Sequence, residues 1–409
     1  MSAFGTSSWR CEGGCLFRDA RSMACIAKVA SVKQSSFSMA LRPPEVAAQI
    51  FGKSFSNIPH GNASNAYPCF RTRMALVDDR LFHQKGVKKS GVLAYELVQG
   101  SHVRWNSVTE KSVPDTPTAV FLHGILGGRK NWGSFARRLA QEFPLWQFLL
   151  VDLRCHGDSA QIKKHEPHTV ASAALDVLQL VSQLRMIPRV LVGHSFGGKV
   201  VLSMVEQAAK PLARPIRVWV LDATPGKVRT GGDGEDRPGE LIAFLQRMPK
   251  QVASKQEVVS AIVQEGFSAD VAQWVVTNLR PISNDSSNSL GFSWVFDLDG
   301  IAEMFRSYER TNLWKIVENV PSGVHMNFLK AERSLHRWAL EDLQRIHAAE
   351  ELASNEGAGV KMHVLEDAGH WVHADNPDGL FKILSKSFRV NQHQSENWRF
   401  SGRSRGAAV

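Results

Sequence analysis

The sequence predicts an α/β fold in which a mostly parallel sheet carries helices on both faces and a helical cap is inserted at the strand ends. Three observations lead there. From about Gly91, short apolar runs alternate with segments whose apolar residues recur at helical spacing. Runs such as Ala119–Leu122 and Val190–Val192 are apolar without alternation, as a strand buried on both faces requires. The rhythm then stops between Thr224 and Gly323, a stretch too long for structureless chain, and resumes after it.

Element by element, Val92–Val98 and Val103–Val108 read as two short strands, an antiparallel hairpin closed by Gly100. Ala119–Leu122 is the first doubly buried strand and ends at His123-Gly124. Phe135–Phe143 reads as a helix, Phe148–Val151 as a strand, and Val170–Leu184 as a second helix by its apolar spacing. Val190–Val192, a helix over Phe196–Ala208 and the strand Val218–Leu221 complete the first half. The interruption holds three helical patterns, Glu240–Met248, Lys255–Glu265 and Ala269–Leu279, then a polar loop at Ser283–Ser289. We read 224–323 as a cap over the site. The sheet resumes with Val324–Leu329, a helix over Leu335–Leu352, the strand Val360–Leu365 and a last helix, Asp378–Phe388. In a sheet of this kind, ligands sit at the carboxyl ends of the strands.

Outside this pattern the chain differs in kind. Residues 1–60 hold ten Ser and seven Lys/Arg but only three acids, Glu12, Asp19 and Glu45. A Ser- and Arg-rich, acid-poor start is the signature of an organelle transit peptide, and the Ser content favours chloroplast over mitochondrion. Residues 61–90 read as a linker, 91–389 as the folded domain, and 390–409 as a disordered basic tail. Three of the five Cys (Cys11, Cys15, Cys25) lie in the leader, and Cys69 and Cys155 form neither a metal-like spacing nor a disulfide framework.

Of 409 residues, 43% are hydrophobic and 11 are Trp, enough for a substantial core and against global disorder. No apolar run approaches the roughly 20 residues that span a bilayer. The formal charge of +10 raises the question of nucleic acid or another anionic partner. Its location answers that question. Residues 1–89 carry 13 Lys/Arg against 5 Asp/Glu, the last 20 carry 3 against 1, and residues 90–389 hold 33 of each sign. The predicted domain is formally neutral, so no nucleic-acid partner is expected.

The chemistry concentrates in Gly193-His194-Ser195-Phe196-Gly197, a G-x-S-x-G pattern directly after a predicted strand and directly before a predicted helix. That context is the nucleophile elbow: the glycines allow a tight turn that lifts a Ser hydroxyl above the sheet, beside the orphan N–H groups of a helix start. Ser195 is the predicted nucleophile. A Ser hydroxyl needs a neutral imidazole within reach, and chain order in such folds runs Ser, acid, His. His370, 175 residues beyond Ser195 in the loop after Val360–Leu365, is the predicted base, chosen over His373 because a Gly precedes it.

The acid stays open among Asp222, which closes the strand Val218–Leu221, Asp299 (with its neighbour Asp297) at the end of the cap, and Glu332. Asp222 is preferred because it faces the same sheet edge as Ser195. For a tetrahedral oxyanion, the donors expected are the backbone N–H groups of Phe196 and of Ile125, in the loop His123–Gly128. That Gly-rich loop fits neither a Walker A nor a dinucleotide fingerprint. No cofactor and no metal are expected.

His123-Gly-Ile-Leu-Gly127, Asp152-Leu-Arg-Cys-His-Gly-Asp-Ser159, Gly193-His-Ser-Phe-Gly-Gly198 and Gly369-His-Trp-Val-His-Ala374 together resemble the blocks of the α/β-hydrolase superfamily, in its order. The likeness covers about Gly91 to Phe388 and is nearest to the small esterases and lipases of the abhydrolase-domain group. It implies the α/β-hydrolase fold with an eight-stranded sheet, a helical cap, and a Ser–acid–His triad that hydrolyses carboxylic esters or thioesters. The block Asp152–Ser159 is expected to be structural. One departure stands out: the acid usually follows the strand that is here Val324–Leu329, and this chain reads Lys330-Ala-Glu-Arg-Ser334 there, without an Asp.

The leading expectation is therefore a carboxylic ester hydrolase acting on a small to medium apolar acyl substrate. Two others share the sequence: a C–C bond hydrolase with the same triad, and a non-catalytic ligand receptor on the same fold.

Overall fold

The computed structural model describes residues 72–73, 91–103, 116–208, 212, 215–229, 237–282, 291–334, 337–353 and 359–389. The transit-like leader, most of the linker, the strand expected at Val103–Val108, the polar loop Ser283–Ser289 and the basic tail lie outside the described residues.

Among the described residues, eight strands form the central sheet: β1 (Thr72–Arg73), β2 (Tyr95–Gln99), β3 (Thr118–Leu122), β4 (Gln147–Val151), β5 (Pro188–His194), β6 (Ile216–Leu221), β10 (Val324–Ala331) and β11 (Gly359–Leu365). Their spatial order is β1-β2-β4-β3-β5-β6-β10-β11. β1 and β2 pair antiparallel with each other, and β2 pairs antiparallel with β4. The remaining neighbours are parallel.

Among the described residues β2 has β4 on one side and β1 on the other. β1 comes from the segment read as a linker, so the sheet begins ahead of Gly91. Two residues are too few to carry a strand pattern.

The unbroken apolar runs have the cause inferred for them: each face of β3, β4 and β5 feeds a different core. Val120, Leu122, Leu149, Val151 and Leu191 point into one cluster, with helices α2 (Val170–Gln183) and α3 (Phe196–Gln207). Ala119, Phe121, Phe148, Leu150, Val190 and Val192 point into the other, against α1 (Gly133–Glu142) and α11 (Pro377–Leu384). Each fully buried Leu, Val or Phe contributes about 1.5–3 kcal/mol, and burying both faces leaves no polar register for these strands.

Among the described residues, the interruption between β6 and β10 holds five helices and a small sheet. α4 (Pro238–Arg247), α5 (Lys255–Gln264) and α6 (Ala269–Val275) match the three helical patterns, with α6 running on into a short 3₁₀ turn. Ser254 and Ser268 cap α5 and α6 by accepting from Glu257 and Val271 N–H.

α7 (Leu298–Arg310) and α8 (Trp314–Glu318) complete the cap and were not anticipated. α7 had a legible start signal, since Asp297 accepts from Gly300 N–H and Asp299 sits in the first turn. β7 (Gln251–Val252), β8 (Leu279–Pro281) and β9 (Phe292–Trp294) form an antiparallel three-stranded sheet, each strand too short for periodicity to reveal. After β10 come α9 (Leu340–Ala353), β11 and the short α10 (Val372–Asp375).

Candidate active site

Adjacent parallel strands bring the predicted residues to one sheet edge. His194 pairs with Leu221 across β5 and β6, Leu221 with Leu329 across β6 and β10, and Ala331 with Leu365 across β10 and β11. The residues that follow these ends, Ser195, Asp222, Glu332 and the loop to His370, therefore emerge side by side.

Ser195 has φ 53° and ψ −115°, a conformation that costs an L-residue about 1–3 kcal/mol and persists only when the surroundings fix it. Here Ser195 N–H donates to Leu221 O (2.9 Å) and Ser195 O accepts from Gly198 N–H (2.9 Å). Gly193 is obligatory, because a Cβ there would lie 2.0 Å from the Gly197 carbonyl oxygen. The loop after β3 packs as closely, since a Cβ on Gly124 would meet Ser195 Cβ at 3.3 Å.

His370 Nδ1 donates to Asp222 Oδ2 at 2.7 Å. Asp222 is fully buried and accepts three further bonds: Ser334 Oγ at 2.7 Å to Oδ2, and Trp338 Nε1 at 2.9 Å and Ala331 N–H at 3.0 Å to Oδ1. Burial by itself raises the Asp222 pKa. The hydrogen bonds and the charge of His370, with the Ser334 and Trp338 bonds, outweigh it and hold the carboxyl below its ordinary value.

Of the alternatives, Asp299 is bonded to Gln246 on α4, and Glu332 accepts from Asp367 N–H, which anchors the His370 loop. Neither meets His370. The position where the usual Asp is missing thus supplies Ser334, a donor to an acid that sits one strand earlier.

Sequence reasoning missed how His370 is seated. His194 is buried and its Nε2 donates to the His370 carbonyl at 2.7 Å, so the x of G-x-S-x-G fixes the backbone of the predicted base. His373, the alternative in the sequence, is half-buried with its ring against Trp132, and desolvation pulls its pKa down to about 4.

The block Asp152–Ser159 shapes the loop that bears Ile125. Asp152 accepts from Arg129 N–H and from Asp158 N–H, and pairs with the Arg129 guanidinium. His123 Nε2 accepts from Leu153 N–H at 3.0 Å, and His156 Nε2 accepts from Leu126 N–H at 3.0 Å. Both imidazoles are buried and so stay neutral, their pKa values lowered to about 4 and about 3. Leu126 N–H is thereby engaged by His156, and Gly127 N–H donates within the loop to Gly124 O.

A cavity of about 420 Å³ opens over Ser195. The cap lines it with Leu241, Val271, Trp274, Phe305 and Tyr308, while the core side contributes Ile125, Phe196, His370 and Trp371. Trp274 and Trp371 meet across it, ring centroids 5.0 Å apart. Arg337 also borders the cavity, its Nε 4.0 Å from Asp222 Oδ2.

Sheet order, elbow and cap define an α/β hydrolase, and residues 119–383 match the model of the alpha/beta hydrolase family, well over half the chain. The chain belongs to that family. It is 30% identical over 282 residues to mouse (Mus musculus) sn-1-specific diacylglycerol lipase ABHD11, covering 66% of this chain and 80% of that protein. A putative esterase/lipase of Haemophilus influenzae is 24% identical, covering 69% and 86%. Among solved structures, a marine microorganism esterase superposes with a TM-score of 0.56 at 20% identity, over 73% of this chain and 99% of its own. The relatives named as esterases and lipases support hydrolase activity. Among the described residues, no helix is long and apolar enough to cross a membrane.

Proposed function

We propose that the chain is a serine hydrolase that cleaves carboxylic esters or thioesters of small to medium apolar acyl groups. One observation carries the reading: a strained Ser195 borders an apolar cavity together with His370, whose ring is bonded to the buried Asp222 carboxylate. With its proton on Nδ1 toward Asp222, His370 carries its lone pair on Nε2, the atom that acts as base in this reading. In the proposed mechanism Nε2 takes the Ser195 proton as Oγ attacks the acyl carbon, and the imidazolium is stabilised by Asp222. The oxyanion accepts from Phe196 N–H, at the start of α3, and from Ile125 N–H. His370 then returns the proton to the departing alkoxide or thiolate, and water releases the acyl group by the same steps.

The cavity is at the small end of the roughly 300–1,000 Å³ usual for small-molecule sites. That favours one acyl chain of modest length over two. The apolar lining from the cap favours an aliphatic acyl group over a charged one. The name of the mouse relative, a diacylglycerol lipase, makes glycerides a substrate class to include. The test is a panel of p-nitrophenyl esters from acetate to palmitate, with acyl-thioesters and a diacylglycerol. The expected result is a kcat/KM that peaks at intermediate length and is lost in Ser195→Ala. Equal rates for wild type and Ser195→Ala on every substrate would overturn it.

A further inference from the structure

Lys199 lies one turn beyond Ser195 on α3 and is completely buried. Its ammonium donates to three backbone carbonyls: Gly226 at 2.6 Å, Tyr308 at 2.7 Å and Thr311 at 3.1 Å. It also stands 4.3 Å from the centroid of the Tyr308 ring. Among the described residues, no carboxylate lies within ion-pair distance of it. A buried charge held by carbonyl oxygens alone is costly, so the arrangement asks for a reason.

The three acceptors supply one. Gly226 is on the leg that carries the chain from β6 into the cap, while Tyr308 and Thr311 are on the leg that returns it. The two legs also bind each other, Val228 N–H to Glu309 O and Leu313 N–H to Pro225 O, both at 2.9 Å. Lys199 therefore fastens both legs of the insertion to the helix that begins at the nucleophile. The returning leg bears Phe305 and Tyr308, which line the cavity. Tyr308 packs on Phe196, the residue after Ser195, with ring centroids 5.9 Å apart.

We propose that Lys199 is a positioning residue: it sets the register of the cap against the nucleophile helix, and so fixes the distance from Ser195 to the cap wall that selects the acyl chain. This deepens the serine-hydrolase reading and rests on it for its consequence in specificity, though not for its consequence in cap mobility. A purely apolar contact would hold the legs without fixing them, because hydrophobic contact has no direction. Three hydrogen bonds from one atom do. Burial pulls the Lys199 pKa down to about 7, against the pull of Asp342 and Glu309, as expected of an ammonium without a carboxylate in contact.

The experiment compares wild type with Lys199→Met by two independent measurements. The first is the ratio of kcat/KM for p-nitrophenyl octanoate to that for p-nitrophenyl acetate. Acetate barely reaches the cap wall, so the ratio is expected to fall about tenfold, a typical size for a misfitted apolar pocket, and mainly through KM for octanoate. The second is amide hydrogen exchange, expected to quicken at 225–229 and 308–313 while 188–194 stays protected.

Equal loss on both esters, or unchanged exchange at the two legs, would overturn the proposal. If wild type cleaves neither ester, the hydrolase reading fails, and the exchange measurement still decides the role of Lys199 in holding the cap. Should Lys199→Met not fold, Lys199→Gln, which keeps two donor hydrogens without the charge, is expected to shift both readouts the same way by less. The same two outcomes refute the proposal there.

Discussion

Replacing Asp222 by Asn is the perturbation whose outcome the site geometry fixes most tightly. The carboxylate accepts four hydrogen bonds, from His370 Nδ1, Ser334 Oγ, Trp338 Nε1 and Ala331 N–H. Asn keeps one oxygen, and the fixed donors Ala331 N–H and Trp338 Nε1 hold it at the Oδ1 position. The amide NH₂ then replaces Oδ2, opposite Ser334 and His370. The Ser hydroxyl can rotate to accept, but His370 can accept at Nδ1 only by moving its proton to Nε2. The lone pair that should deprotonate Ser195 is thereby lost.

In a Ser–His–Asp site this tautomer error lowers kcat about 10⁴-fold, equivalent to about 5.5 kcal/mol of barrier. Losing one charge-assisted bond costs about 2 kcal/mol of stability, so for a domain of this size Tm should drop by about 3 °C. The assay is initial rates on p-nitrophenyl butyrate, with thermal melts on the same samples. Asp299→Asn and Glu332→Gln are expected within about threefold of wild type, because neither group touches the imidazole. Retention of more than a tenth of kcat by Asp222→Asn would refute the reasoning, as would a matching loss in Asp299→Asn.

Three further outcomes follow from the same geometry. Ser334→Ala leaves Asp222 Oδ2 with one donor fewer, which should cost about 1–2 kcal/mol; a roughly tenfold fall in kcat is expected, and an unchanged kcat would show that the bond has no catalytic consequence. Gly193→Ala puts a Cβ 2.0 Å from a backbone oxygen of α3; activity should be lost with a lower Tm, and normal melting with normal activity would mean that the elbow tolerates a side chain. Acid should unfold the protein early. His123 and His156, both buried, and the half-buried His373 are held neutral, with pKa values near 4, 3 and 4, whereas unfolded His takes up a proton at about 6.5. Their contribution is complete above pH 6.5 and is lost as pH falls from there toward 4, at about 1.4 kcal/mol per pH unit for each. Melts from pH 7 to pH 4 check this, and a Tm that stays flat down to pH 5 contradicts it.

Much of the fold was legible because β3, β4 and β5 are buried on both faces, leaving unbroken apolar runs that nothing but a central strand explains. Helices with full apolar stripes, such as α2, were read within a residue or two. What escaped was short or set by tertiary contact. β1 is two residues long, and the cap strands β7 to β9 have two or three each, below any period.

In the site, Ser195 and His370 could be named because the elbow and the Gly-His pair need particular residues at particular offsets. The acid could not be settled, since any carboxylate after a strand at this edge satisfies the pattern. What favours Asp222 in our reading is Ser334 and Trp338, which converge on it from more than 100 residues away. Lys199 was equally silent, because a Lys one turn into a helix reads as a solvated side chain until both legs of the cap close over it.

A fluorophosphonate probe tests whether Ser195 is an activated nucleophile. The wild-type protein is expected to gain one covalent adduct, mapped by peptide mass spectrometry to Ser195 and absent from Ser195→Ala. No adduct on the folded wild type, or equal labelling of Ser195→Ala, would contradict the account.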